Sequence, residues 1–207
     1  MISLDVVIDA RALVGNRTGI GVHTAEIARR LAVTPPPLLA SHAEIDDRTG
    51  IEHLRYRVDP TFLGVPWQQL KLPRIGGDVL WGPHATLPVA LRIPAVVSLH
   101  DFTTLTMPLR HQLKTVLSFN LFIGRSLMQA KRIAAVSQAI AEEAVRSFGV
   151  SREKITIVPN GVDDFFTPGE SEAEDYILFV GTLEPRKGLD DLLAVWESLS
   201  PRPRLVL

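Results

Sequence analysis

Short β-branched or aliphatic runs, each too brief for a helix, alternate along this chain with stretches whose apolar residues recur every three or four positions. That alternation limits the fold more than any other feature, because strands separated by helices pair in parallel through right-handed crossovers. Leu4 to Asp9 reads as the first strand, Arg11 to Gly19 as a loop, and Ile20, Ile27, Ala28 and Leu31 as the apolar stripe of a helix that stops before Pro35, Pro36 and Pro37. His53 to Val58 reads as a strand and Trp67 to Leu72 as a short helix opened by Pro66. Three clearer strands follow, at Asp78 to Trp81, Ala95 to Leu99 and Arg132 to Val136, with a helix between about Leu109 and Ala130. Ser137 is placed to cap a helix carrying Ile140, Ala144, Val145 and Phe148, Gly149 to close it, and Ile155 to Val158 to form the next strand.

From Pro159 to Asp175 the hydrophobic pattern lapses into Asn-Gly, Asp-Asp, Pro-Gly and acidic residues, the composition of an interdomain connection. Beyond it, Tyr176 to Val180 predicts a strand, Leu189, Leu192, Leu193, Trp196 and Leu199 a helix, and Arg204 to Leu207 the start of a third element. The expected organisation is a doubly wound α/β domain over 1–160, a connection over 161–175 and the first β-α-β portion of a second, incomplete domain over 176–207. Such a unit of some 30 residues cannot cover both faces of its own sheet, which is why a longer second domain is expected.

Composition removes several classes of function. The 22 basic and 23 acidic side chains nearly cancel, leaving no basic excess for nucleic acid. With no cysteine there is neither a disulfide framework nor a thiolate metal site. Met1 to Asp5 lacks the basic region of a signal peptide and no apolar run approaches the roughly 20 residues that span a bilayer, so a cytoplasmic location is expected. Between Phe102 and Ala141 there is no acidic residue, while Arg110, Lys114, Arg125, Lys131 and Arg132 interrupt apolar positions such as Leu113, Leu117, Phe119 and Phe122. That pattern fits either a core-facing helix with a basic outer face or a segment able to lie on anionic lipid.

In an open parallel sheet, ligands bind outside the carboxyl ends of the strands. The residues following the predicted strands are Asp9-Ala10-Arg11, Gly82-Pro83-His84, His100-Asp101, Ser137 and Asn160-Gly161, and together they outline one crevice. Thr18-Gly19-Ile20-Gly21 opens the first helix, where free N–H groups and the helix dipole favour an anion, although the same residues serve as a flexible turn. Nine residues separate Asp9 from Gly19, too many for a nicotinamide-cofactor loop, which weakens an oxidoreductase reading without removing it. Arg186 and Lys187, between a strand and a helix, are two adjacent cations suited to a diphosphate or simply to a solvated loop.

Asp9-Ala10-Arg11, Thr18-Gly19-Ile20-Gly21, His100-Asp101, Val136-Ser137, Val158-Pro159-Asn160-Gly161-Val162-Asp163 and Phe179-Val180-Gly181-Thr182-Leu183-Glu184-Pro185-Arg186-Lys187-Gly188 occur in the order seen in retaining glycosyltransferases of the GT-B fold, group 1. The chain resembles that family from about Val6 to Leu199 and is most similar to its bacterial mannosyltransferase branch. The resemblance implies two Rossmann-like domains about a cleft, with the donor held mainly by the second and a glycan or lipid-linked acceptor by the first. Carried over by motif, it implies His100 as the catalytic residue at the donor sugar with Asp101 beside it. Gly19 and Gly21 would approach the donor phosphate or acceptor, Ser137 would line the cleft, Arg186 and Lys187 would hold the diphosphate, and Asn160 would begin the connection. It further implies a nucleotide sugar as substrate, with GDP-mannose the lean, stereochemical retention, polysaccharide biosynthesis as the setting, and no cofactor. No Asp-x-Asp pair is present, so metal independence is expected.

Cleaving a sugar–phosphate bond develops positive charge at the anomeric carbon and negative charge on the leaving diphosphate, so fixed cations and a helix N-terminus act most strongly in the transition state. The family's late Glu-x7-Glu signature is not at its expected place in these residues. Glu44 and Glu52 share the spacing but lie in the N-terminal half. The 207-residue piece alone is therefore expected to have little or no transferase activity. The alternatives are an NAD(P)-binding oxidoreductase and a non-catalytic binding domain.

Overall fold

A computed structural model of the chain describes every residue except 1, 62, 111, 170–174, 182 and 184–186. In chain order the strands are β1 (Ile2–Ser3), β2 (Val6–Asp9), β3 (Val33–Thr34), β4 (Leu38–Ser41), β5 (Arg55–Val58), β6 (Val79–Gly82), β7 (Ala95–Leu99), β8 (Arg132–Ala135), β9 (Ile155–Ile157), β10 (Tyr176–Leu178) and β11 (Arg204–Val206). The α-helices are α1 (Gly19–Arg30), α2 (Gly64–Leu70), α3 (Thr103–Thr106), α4 (Leu113–Gln129), α5 (Gln138–Phe148) and α6 (Leu189–Ser198).

Seven strands form one sheet in the order β5-β4-β2-β6-β7-β8-β9, and every neighbouring pair is parallel. The chain builds outward from β2 through β4 to β5, then returns to lay β6 on the other side of β2 and continues to β9. That reversal is the doubly wound, Rossmann-like topology that the β/α alternation predicts.

The central strands are buried on both faces. Val6 and Ile8 join one apolar cluster with Ala25 and Ala28 of α1, Leu39 and Ile51; Val7 joins the other with Trp67 of α2, Ile123 and Leu127 of α4, and Ala144 of α5. Alternate side chains of β2 thus enter two cores, and each fully buried Leu or Ile contributes on the order of 1.5–3 kcal/mol.

Three local differences from the sequence reading have physical causes. The loop after β2 opens with a 3-10 turn over Ala10–Leu13, because the Asp9 carboxylate accepts from the Arg11 N–H at its start. The helix expected from about Leu109 to Ala130 is α4, which starts only at Leu113; α3 and a 3-10 turn at Pro108–Arg110 precede it, and Pro108 has no N–H with which to continue α3. β4 gives little sequence signal, since a short strand buried on both faces shows no alternation.

Beyond β9 the described residues form neither helix nor strand until β10, which pairs in parallel with β11 across α6. No residue of α6 is buried, as expected of one helix on two strands, which cannot enclose a core.

Candidate functional site

The sheet order reverses between β2 and β6, so the carboxyl ends of β2, β6 and β7 lie side by side and present Asp9, Pro83, His84 and His100 at one edge.

Asp9, the last residue of β2, is wholly buried. Its Oδ1 accepts from Arg11 Nε at 2.9 Å and its Oδ2 from Arg11 Nη2 at 2.8 Å and Gln68 Nε2 at 3.0 Å. Burial alone would raise the carboxyl's pKa; the Arg11 charge and hydrogen bonds, with His84 adding to them, outweigh it and hold Asp9 below its ordinary value. Gln68 also donates to the Thr86 carbonyl at 2.8 Å, which ties α2 to the loop after β6. In that loop Ala85 sits at φ 61°, a left-handed conformation uncommon for a residue with a Cβ and the kind of local strain found at binding sites.

Two histidines flank Arg11. The Nε2 of His84 and the Nδ1 of His42 are out of reach of water and have no hydrogen-bond partner. Burial, then the Arg11 charge, push His84 down to about 4, with Asp9 opposing. The same two causes lower His42, again against Asp9. Both imidazoles are neutral at pH 7. A Cβ at Gly64 would stand 3.2 Å from His42 Cε1 and 3.3 Å from Arg11 Cδ, so the first residue of α2 must be small for these side chains to lie as they do. Beside His42, residues Ala43, Glu44, Val58, Pro60 and Thr61 complete the lining of an open groove of about 590 Å³.

A second cluster joins α1 to β6, β7 and the segment after β9. His23 stands one turn after Gly19, and its ring meets that of His100 edge-on at 4.6 Å. Trp81 Nε1 donates to Ser98 Oγ at 3.0 Å, which leaves the serine hydroxyl to donate to His23 Nε2 at 3.4 Å. The proton of His23 then resides on Nδ1 and is donated to Asn160 Oδ1 at 3.1 Å. Burial and the neighbouring His100 lower the pKa of His23, opposed by the Asn160 bond. Arg29, lower on the same helix, faces Asp163 at 3.5 Å, so α1 holds the segment after β9 at two points. His100 donates from Nε2 to the Pro83 carbonyl at 3.1 Å, which leaves the Nδ1 lone pair as its free acceptor. Burial lowers its pKa, against the Pro83 bond and Asp101.

The other residues singled out by the sequence are placed as follows. Gly19 begins α1 with open space where a Cβ would be, and Thr18 makes no side-chain capping bond there. Gly21 is buried, and a Cβ would stand 2.5 Å from the Ala12 carbonyl oxygen, so its lack of a side chain lets the 3-10 turn pack on α1. Asp101 turns to its own loop, accepting from the Thr103 N–H at 2.9 Å and hydroxyl at 2.7 Å. Ser137 caps α5 through the Ile140 N–H at 3.3 Å, and Gly149 closes that helix at φ 65°. Lys187 lies before α6, on the separate β10-β11 unit; Arg186 is outside the described residues.

Arg11 stands at the crevice that the sequence outlines, here ion-paired to Asp9, whereas His23, Gln68 and His42 are site residues that the sequence does not single out. His23 had a usable signal, one turn on from Gly19 on the same helix face, while Gln68 and His42 are reached only through tertiary contacts. Among the described residues no group of three or more His, Cys, Asp or Glu is arranged to hold a metal. No described helix is long and apolar enough to cross a membrane.

The sheet order defines a Rossmann-like α/β domain with its polar residues at the carboxyl edge. A structure of the apo form of the lipopolysaccharide outer core galactosyltransferase WaaB matches 97% of this chain and 58% of its own, with a TM-score of 0.51 at 15% identity, a likeness of fold. The family model of Glycosyltransferase Family 4 matches residues 17–164, more than half of the chain. The chain belongs to that glycosyltransferase family, which separates it from the oxidoreductase alternative. It is also 29% identical over 137 residues to the O-antigen chain mannosyltransferase B of Escherichia coli, a match covering 60% of this chain and 35% of that protein. The chain thus aligns with about a third of its curated relative's length.

Proposed function

We propose that this chain is the acceptor-side portion of a glycosyltransferase that moves a sugar, mannose from GDP-mannose first among the donors to test, onto a glycan or lipid-linked acceptor with retention. Residues 1–160 would form the acceptor side, 161–175 the connection, and the β-α-β unit after it the beginning of the donor side. The observation that carries the reading is His100: at the crevice edge, neutral at pH 7, fixed by the Pro83 carbonyl through Nε2 and free to accept through Nδ1. A sugar hydroxyl donating to that nitrogen would place the ring edge beside the anomeric carbon as positive charge develops there.

The uncapped N-terminus of α1 at Gly19 suits a phosphate oxygen, and Arg186 with Lys187 the leaving diphosphate. Gly21 contributes to the same site by letting the preceding turn pack on α1. Asp101 and Ser137 shape the crevice by fixing the loops that bear them. No step here requires a metal ion.

The test uses the full-length protein, with GDP-mannose, UDP-galactose and UDP-glucose offered against a lipid-linked acceptor and release of nucleotide diphosphate measured. Transfer from one donor, reduced on the order of 100-fold by His100→Ala, is the expected result. Unchanged turnover in His100→Ala, or transfer from none of the donors, overturns the reading.

A further inference from the structure

His100 is held at only one of its two ring nitrogens, and that bond leaves its aim open. Cβ and Nε2 of a histidine lie nearly on the axis about which the ring turns. The Pro83 carbonyl, 3.1 Å from Nε2, therefore anchors the far end of the ring without stopping the turn. Histidine has broad χ2 wells, and turning about that axis swings the Nδ1 lone pair, which lies in the ring plane. A second contact must fix the plane if Nδ1 is to meet a hydroxyl.

α1 supplies that contact. Val96 and Ser98 of β7 and His100 just past its end alternate along the chain, so they share the face on which Val96 and Trp81 join the apolar cluster of α1. His23, one turn into that helix, sets its ring edge-on to that of His100 at 4.6 Å. The His23 ring is itself held at both nitrogens, by Ser98 Oγ at 3.4 Å from Nε2 and by Asn160 Oδ1 at 3.1 Å from Nδ1, with the Trp81 ring tilted beside it at 6.0 Å. Neither nitrogen is left for a sugar. The contact is one between neutral rings, since burial lowers the pKa of both histidines.

We propose that His23 is a positioning residue for His100: its ring, fixed by Ser98 and Asn160, blocks the turn of the His100 imidazole and keeps Nδ1 aimed at the sugar hydroxyl. This role rests on the reading of His100 as the residue that meets the donor sugar. His23 acts through His100 and touches no substrate. An imidazole that turns freely spends part of its time with Nδ1 misdirected, and such a loss of alignment lowers the rate of the chemical step more than it weakens binding.

The experiment compares the parent, His100→Ala, His23→Ala, His23→Phe and His23→Ala/His100→Ala in the full-length protein, with kcat and the donor KM measured separately. Alanine keeps α1 helical, and phenylalanine keeps a ring against His100. His23→Ala should lower kcat on the order of 10-fold with the donor KM held within about 2-fold, and His23→Phe should lose no more than about 3-fold. The double variant should be no slower than His100→Ala, because His23 then has nothing to position. Unchanged kcat in His23→Ala, an equal loss in His23→Phe, or losses that multiply in the double variant overturn the proposal. Failure of the donor-sugar reading looks different, since His100→Ala itself would then leave turnover unchanged. NMR of the histidine rings in the 207-residue chain reads the same contact without activity. His100 should give one sharp set of ring signals in the parent and exchange-broadened signals in His23→Ala, and signals unmoved by that variant overturn the proposal as well.

Discussion

Replacing His84 with leucine should remove a defined share of the fold's sensitivity to acid. The imidazole has an ordinary pKa of 6.5 when the chain is unfolded and about 4 when folded, through burial first and the Arg11 charge second. Between those values the unfolded chain binds a proton that the folded chain does not, so stability rises with pH across the window and is lost as pH falls through it. At 1.36 kcal/mol per pH unit the full difference is about 3.4 kcal/mol, of which about 2 kcal/mol is gone by pH 5. These are upper bounds, because His84 as a residue is only half-buried. Leucine fills a similar space, and His84 Nε2 has no partner to lose, so His84→Leu should match or exceed the parent at pH 8. Urea unfolding at pH 8, 6 and 5 measures this directly. The parent should lose up to about 2 kcal/mol more than the variant between pH 8 and pH 5. Equal losses in the two proteins would refute the account of a buried imidazole kept neutral beside Arg11.

The remaining predictions concern the same edge of the sheet. Arg11→Met leaves Asp9 buried without its guanidinium and should cost about 3–5 kcal/mol in urea unfolding at pH 7, less at pH 4.5, where the carboxyl can protonate in place. Gly21→Ala drives a methyl against the Ala12 carbonyl and should destabilise by roughly 1–3 kcal/mol, whereas Gly19→Ala meets open space and should be neutral or gain about 0.5 kcal/mol. If Gly19 receives a donor phosphate, that same variant of the full-length protein should nonetheless show a raised KM for the donor; a stable variant with unchanged kinetics would remove the helix N-terminus from the site. Ser137→Ala removes the α5 cap at an expected cost of about 1 kcal/mol, read as a fall in Tm. EDTA should leave transfer by the full-length protein unchanged, and loss of turnover restored by a divalent cation would contradict the metal-free reading.

The sequence alone determined the layer architecture, because strand and helix periods are local properties of the chain. Strands β6, β7, β8 and β9 stand within two residues of where the β-branched runs put them, and α5 has the serine cap and left-handed glycine that its ends predict. Local signals also marked the carboxyl edge, since Asp9 ends an apolar run, His100 directly follows one and His84 stands three residues after another. What no local signal could supply is which of these polar residues face one another. Asp9 meets Gln68 across 59 positions, and His23 meets Ser98 across 75 and Asn160 across 137. Those meetings exist because the parallel sheet places β2, β6 and β7 side by side and lays α1 and α2 over their ends. Tertiary structure likewise set His42 and His84 beside Arg11 and His23 against His100, burial lowering the pKa of each of the four, and turned one side of α4 outward. The apolar and basic positions between Phe102 and Ala141 were legible as a pattern, but packing decided which of them the core would cover.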